Sequence, residues 1–341
     1  MRRPRVKLEG EGFYHVVSRI GGKRFLIDEA EKGILLGMIR AAAAFSGVEL
    51  YTFAIMSNHF HLLVRIPRRR EVSERELLRR MEALYGTAKF RAVLDKWEKW
   101  GKKGQESRVE EEKARLRARM YDLSQFCKTF KEAYTQDYNR RHENTGTIWE
   151  GRFKSILVEG SFRALATVSG YVHLNPVRAA MADDPKAAKW TGLGAGCGGD
   201  ERARAGLRSM VSRACHAADA TWEEALEACE RAVEGRIPDA PRGGGDRAAA
   251  PESVSQGPDR GPGPDAVETD ARGRPVRAGS MRALLRRRAA GFLHGGALGG
   301  ERFLRRVSAR LPVRARRKPE GFFDRCGFLG LGNAAGVREA S

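Results

Sequence analysis

At 341 residues the chain is long enough for one large domain or two small ones, and its 63 Lys and Arg against 43 Asp and Glu leave a formal net charge of +20. That excess draws phosphate-bearing partners, although a solvated basic surface or a ribosome-associated protein has the same composition. Five dispersed cysteines (Cys127, Cys197, Cys215, Cys229, Cys326) without a CxxC pair argue against a disulfide framework or a zinc knuckle. A basic start with no apolar stretch behind it, and no run of about 18 apolar residues, point to a soluble cytoplasmic protein and away from a membrane.

In chain order, Phe13–Ser18 has the β-branched and aromatic content of a strand, Gly21-Gly22 turns it, and Arg24–Ile27 is expected to return as a second strand. Asp28 with Glu31 forms a helix N-cap. Ile34, Leu35, Met38, Ala41, Ala42 and Phe45 follow at helical spacing, and Gly47 closes the helix. Val48–Ile55 and His59–Ile66 read as strands broken at Ser57-Asn58. This order predicts an α+β sandwich with helices on one face. Residues 68–120, opened by Ser73 and Glu76, are charged and helical, an insertion or lid. An amphipathic helix spans Leu123 to Arg141, a short strand covers 156–158, and Ser161 caps a helix that runs through Tyr171 to about His173, stopped at Asn175-Pro176. Beyond 182 the chain becomes glycine-rich (192–199), with a helix expected near Trp222–Val233. Residues 236–279 read as a disordered linker and 280–341 as a basic C-terminal segment.

Three segments carry chemistry. In Asn58-His59-Phe60-His61, strand alternation sends His59 and His61 to one face and Phe60 to the other. Paired imidazoles suit a divalent ion, and they also suit two ordinary surface histidines on an edge strand. In Tyr171-Val172-His173-Leu174-Asn175-Pro176, Tyr171 and Asn175 share a helical face. A phenol there is a covalent nucleophile that needs help at neutral pH, or else a core tyrosine. His173 lies off that face and reads as structural. In Thr147-Ile148-Trp149-Glu150-Gly151-Arg152-Phe153-Lys154, cations alternate with aromatic or apolar residues, as in surfaces that hold phosphates and stack bases, or in a plain hairpin with a half-buried Trp149.

Taken in order with Phe13-Tyr14-His15-Val16-Val17-Ser18-Arg19, these motifs resemble the REP-associated tyrosine transposases and their insertion-sequence relatives, the single-tyrosine HUH transposases, over residues 10–182. The resemblance implies a ferredoxin-like core with an antiparallel sheet. It implies His59 and His61 as metal ligands with Asn175 in the place of a third, Gln ligand, and Mg²⁺ or Mn²⁺ as the metal. Tyr171 is the implied nucleophile, and Arg19, Arg152, Lys154 and Arg178 are the implied phosphate contacts. The implied reaction is cleavage and rejoining of single-stranded or hairpin DNA through a 5′-phosphotyrosine, by a monomer or homodimer acting at the bacterial nucleoid. On this reading residues 183–235 are a helical extension. Two other readings remain: a domesticated, non-catalytic regulator that binds DNA hairpins, and a histidine-triad nucleotide hydrolase. The latter needs a further histidine where Leu63 stands.

Overall fold

The computed structural model describes residues 8, 10–215 and 219–235, together with the pairs 268–269, 275–276, 297–298, 302–303 and 306–307. The chain opens with strand β1 (Gly12–Arg19), a 3-10 turn at Gly21–Lys23, helix α1 (Glu29–Ser46), strand β2 (Glu49–Ile55) and strand β3 (His59–Ile66). Helices α2 (Glu74–Gly101), α3 (Glu106–Ala118) and α4 (Leu123–Arg141) follow. Strand β4 (Lys154–Val158), helix α5 (Phe162–His173) and the single turn α6 (Asn175–Arg178) come next. Helices α7 (Gly192–Cys197), α8 (Glu201–Cys215) and α9 (Trp222–Glu234) complete the continuous part. Two-residue strands β5 (Glu268–Thr269) and β6 (Pro275–Val276) pair with each other, and β7 (Ala297–Leu298) joins the main sheet.

The local chemistry of the first elements is as the sequence predicts. Asp28 accepts the Glu31 N–H at 2.9 Å to start α1, and Gly47, at φ 67°, ends it in the left-handed conformation that glycine tolerates. The same Asp–x–x N-cap recurs at α4, where Asp122 accepts from Gln125 at 2.8 Å. The expected strand at Arg24–Ile27 does not form. Gly22 and Lys23 both have positive φ, and the chain then runs extended without a ladder. It is held instead by Ile27, whose N–H donates to the Ser57 carbonyl and whose side chain is fully buried.

The sheet order is β2-β3-β1-β4-β7, antiparallel except for the parallel pair β4 and β7. β3 therefore lies inside the sheet, not at an edge. One face carries Tyr14, Val16, Phe53, Ile55, Phe60, Leu62 and Val64 and packs on α1 and α4. The expectation of helices on one face is corrected by the other side. There Phe13, Tyr51, Ala54, Leu63 and Ile156 pack against α5, α8 and α9. The physical reason is in the strands: β1 is buried at seven successive positions, so both its faces need cover. Part of that cover comes from α8. Its sequence is polar overall, but Leu207, Met210, Val211 and Ala214 form an apolar stripe at helical spacing. The α+β class with an antiparallel core sheet stands.

Helices α2 and α3, between β3 and α4, enclose a third cluster of Phe45, Leu77, Met81, Trp97, Leu116 and Met120. It is tied to α1 by Arg80, which donates to the Phe45 carbonyl at 3.2 Å. Apart from the isolated pairs, the expected disordered linker (236–279) and basic segment (280–341) lie outside the described residues. No helix among the described residues is long and apolar enough to cross a membrane.

Candidate functional site

The register of β1 on β3 sets the site. Val17 pairs with His61 and Arg19 with His59, so His15, Val17, Arg19, His59 and His61 all project from the face covered by α5. β4 extends the row: Lys154 pairs with Val17 and places its exposed ammonium at the same end.

The His59 and His61 ring centroids are 5.0 Å apart at 75°. A third histidine, His15, stacks on His61 at 5.2 Å, with His15 Nε2 and His61 Nδ1 hydrogen-bonded at 3.0 Å. Tyr171 reaches the cluster from α5 and sets its ring edge-on to both, 5.7 Å from His15 and 5.6 Å from His61. Ser161 fixes the start of α5 by capping Ala164 N–H, and Gly170 lets it approach α9 closely: a Cβ there would stand 2.6 Å from the Ala232 carbonyl oxygen. Close approach of the backbone beside Tyr171 is therefore built into the glycine.

The electrostatics of this cluster are one-sided. Burial, with the Arg19 charge, lowers the pKa of His59 to about 4. Burial and the charges of His15, His59, Arg178 and Arg19 hold His61 well below the ordinary imidazole value. Both rings are neutral near pH 7, the form that ligates a metal. Tyr171 is only 3% exposed, and burial raises its phenol pKa against the opposing pull of Arg178 and Arg19. The Arg178 guanidinium lies 5.5 Å from the centre of the Tyr171 ring and is itself open to solvent.

Asn58 orders one of the rings. Its amide nitrogen donates to the Lys23 carbonyl at 3.3 Å, which turns its oxygen to accept from His59 Nδ1 at 2.7 Å. His59 Nε2 then carries the lone pair. His61 Nε2 is buried and has no hydrogen-bond partner. With His61 Nδ1 as donor to His15, that orphaned atom is a second ligand position. These donors fit a divalent ion. Among the described residues no group of three or more His, Cys, Asp or Glu is arranged to hold one. Asn175, the third ligand expected from the resemblance, lies just past the end of α5. Its amide nitrogen donates to the carbonyls of Tyr171 at 2.9 Å and Val172 at 3.3 Å, and it makes no hydrogen bond to either imidazole.

Of the residues singled out from the sequence, His59, His61, Tyr171, Arg19, Arg178 and Lys154 come together here. Arg152 is exposed in the loop just before β4, and no contact joins it to the cluster. His173 is fully buried and bonds Thr52 Oγ1 at 2.7 Å; burial lowers its pKa to about 3, in keeping with a structural part. Trp149 is buried rather than half-buried, its indole donating to the Lys131 carbonyl at 3.2 Å. His15 and the orienting role of Asn58 are additions of the structure to the residues singled out from the sequence. Alternation along Phe13–Arg19 puts His15 on the Arg19 face, which was the available signal.

No curated protein matches the chain. Among solved structures, one of "the REP associates tyrosine transposase bound to a REP hairpin" is similar at a TM-score of 0.36 and 12% identity, over 57% of this chain and 82% of that one. Residues 11–91 match the family model "Transposase IS200 like". The matched stretch holds β1, the 20–27 loop and both histidines of β3, and it ends within α2, before Tyr171. Over residues 11–91, then, the chain is similar to the IS200-like transposases.

Proposed function

We propose that the protein is a transposase-type HUH endonuclease that cuts and rejoins single-stranded, hairpin-forming DNA. The observation that carries this is the packing of the Tyr171 ring against His61, 5.6 Å away, on the face that also bears His59. A tyrosine beside neutral imidazoles, under two arginines, is a nucleophile set where a phosphodiester and a cation can meet.

His59 Nε2, His61 Nε2 and the Asn175 amide oxygen would hold a divalent ion, Mg²⁺ or Mn²⁺. When bound, it supplies Lewis-acid polarisation of the scissile phosphate. The chain's own residues do the rest. Arg178, exposed over the Tyr171 ring, is placed to pair with an incoming phosphate and bring it to the phenol. Arg19 and Lys154 anchor the flanking backbone. Tyr171 Oη attacks phosphorus in line, forming the O–P bond as the P–O3′ bond breaks. The phenol gives up its proton, the departing 3′-oxygen gains one, and a 5′-phosphotyrosine remains. The nearby positive charges lower the cost of the phenolate that burial raises. A second 3′-OH reverses the step and joins strands, because the covalent bond conserves the phosphodiester.

One observation favours a second reading. Tyr171 is nearly inaccessible, as in a domesticated protein that binds DNA hairpins without cutting them. The experiment that separates the two is incubation with single-stranded hairpin oligonucleotides and Mn²⁺, followed by denaturing gels. The nuclease gives a slow-migrating covalent adduct that is lost in the His59→Ala/His61→Ala double variant and on chelation with EDTA. Hairpin binding without any adduct supports the regulator, and an adduct indifferent to EDTA contradicts the metal-assisted mechanism.

A further inference from the structure

Among the described residues the exposed large apolar side chains are Phe25, at 77%, and Met181, at 45%, and both sit in segments that carry parts of the site. Met181 follows Arg178 by three positions. Phe25 lies in the 20–27 loop, which is fastened to the turn preceding His59. Ile20 N–H donates to the Asn58 carbonyl at 2.8 Å and Ile27 N–H to the Ser57 carbonyl at 2.9 Å. Between these clamps Asn58 Nδ2 donates to the Lys23 carbonyl at 3.3 Å, through the same side chain that orients His59. Gly21 N–H ties the loop to the neighbouring segment by donating to the Ile148 carbonyl at 2.8 Å. Phe25 is therefore held outward by an anchored loop. The exposed cations Lys23, Arg24, Arg152 and Lys154 belong to the same two segments, with the acid Glu150 among them.

We propose that Phe25 is a stacking platform for an unpaired nucleobase of the DNA strand whose phosphate occupies the Tyr171 site. This rests on the reading of the chain as a single-strand nuclease and adds a residue that positions the substrate. An unpaired base offers a ring face for stacking and a phosphate for the adjacent cations, whereas a base inside a duplex hides its face. A protein partner would call for a broader apolar patch than one ring set among charges.

The test uses the full chain and fluorescence anisotropy with a labelled oligothymidylate and, separately, a blunt duplex. Phe25→Ala should weaken oligothymidylate binding roughly 5- to 100-fold and leave duplex binding unchanged. Phe25→Trp should retain the affinity, and Phe25→Leu, apolar but without a ring face, should lose it as the alanine variant does. Wild-type affinity in Phe25→Ala or Phe25→Leu overturns the platform and leaves the nuclease reading standing. A wild-type chain that binds no single-stranded oligonucleotide overturns both.

Discussion

Asn58 governs His59 through a single hydrogen bond, from His59 Nδ1 to Asn58 Oδ1 at 2.7 Å. Removing it frees the imidazole to rotate and to place its proton on either nitrogen. Groups that orient a ligating imidazole in this way are typically worth about 10- to 100-fold in metal affinity. Asn58→Ala should weaken Mn²⁺ binding by about that factor in a calorimetric titration, with the fold unchanged by circular dichroism. Unaltered affinity would separate Asn58 from the ion. At this scale His59 and His61 were legible because alternation along one strand puts them together. His15 was not, since its contact with His61 depends on a strand register across 46 positions of sequence. Asn175 was legible as a neighbour of Tyr171, but not the commitment of its amide nitrogen to the helix end.

Between elements, the clearest polar joint is the buried Glu31 of α1. It accepts from Tyr134 Oη at 2.8 Å, pairs with Arg141 through the two terminal guanidinium nitrogens, and meets His142 Nε2 at 2.8 Å. Burial alone would raise its pKa, but the hydrogen bonds from Arg141, His142 and Tyr134 outweigh that and lower it from 4.5 to about 2. The folded state thus binds this proton less readily than the unfolded one. The resulting stability is fully present above the ordinary carboxylate value and is lost as pH falls through about 2. Glu31→Gln should cost about 2 kcal/mol at pH 7, given that Arg141 is partly solvated. The gap to wild type in urea denaturation should shrink steadily from pH 4.5 toward pH 2. A gap independent of pH would mean that shape, not charge, holds α1 to α4. The helices α1, α4 and α5 were readable because caps and apolar spacing agree. α7 was not, because Gly192, Gly194 and Gly196 read as a loop. In the fold they let the chain press against Thr52, the Ala188 backbone and Trp222. The segment 24–27 misled because β-like composition says nothing about whether a partner strand is free to pair with it.

For the molecule as a whole, the +20 charge implies binding that weakens with salt, whatever the sequence of the nucleic acid. The share due to the site can be isolated by difference. Each cation that neutralises a phosphate of a single strand contributes about 0.7 to the slope of log affinity against log salt. Lys154→Ala should lower that slope by about 0.7, and Arg152→Ala combined with Lys154→Ala by about 1.4. Unchanged slopes would place the DNA on another surface. The order of the motifs announced the α+β class and the antiparallel sheet. The covering of both sheet faces stayed hidden, because the second layer draws on α8 and α9, where the resemblance to transposases had ended.

The proposed chemistry rests on covalent attachment of the DNA to Tyr171. It is tested most directly by digesting the covalent protein–oligonucleotide adduct and locating the modified peptide by mass spectrometry, with Tyr171→Phe run in parallel. The nucleotide should be found on Tyr171, and the Phe variant should bind the hairpin yet form no adduct. A nucleotide found on any other side chain, or an adduct that survives in Tyr171→Phe, would contradict it.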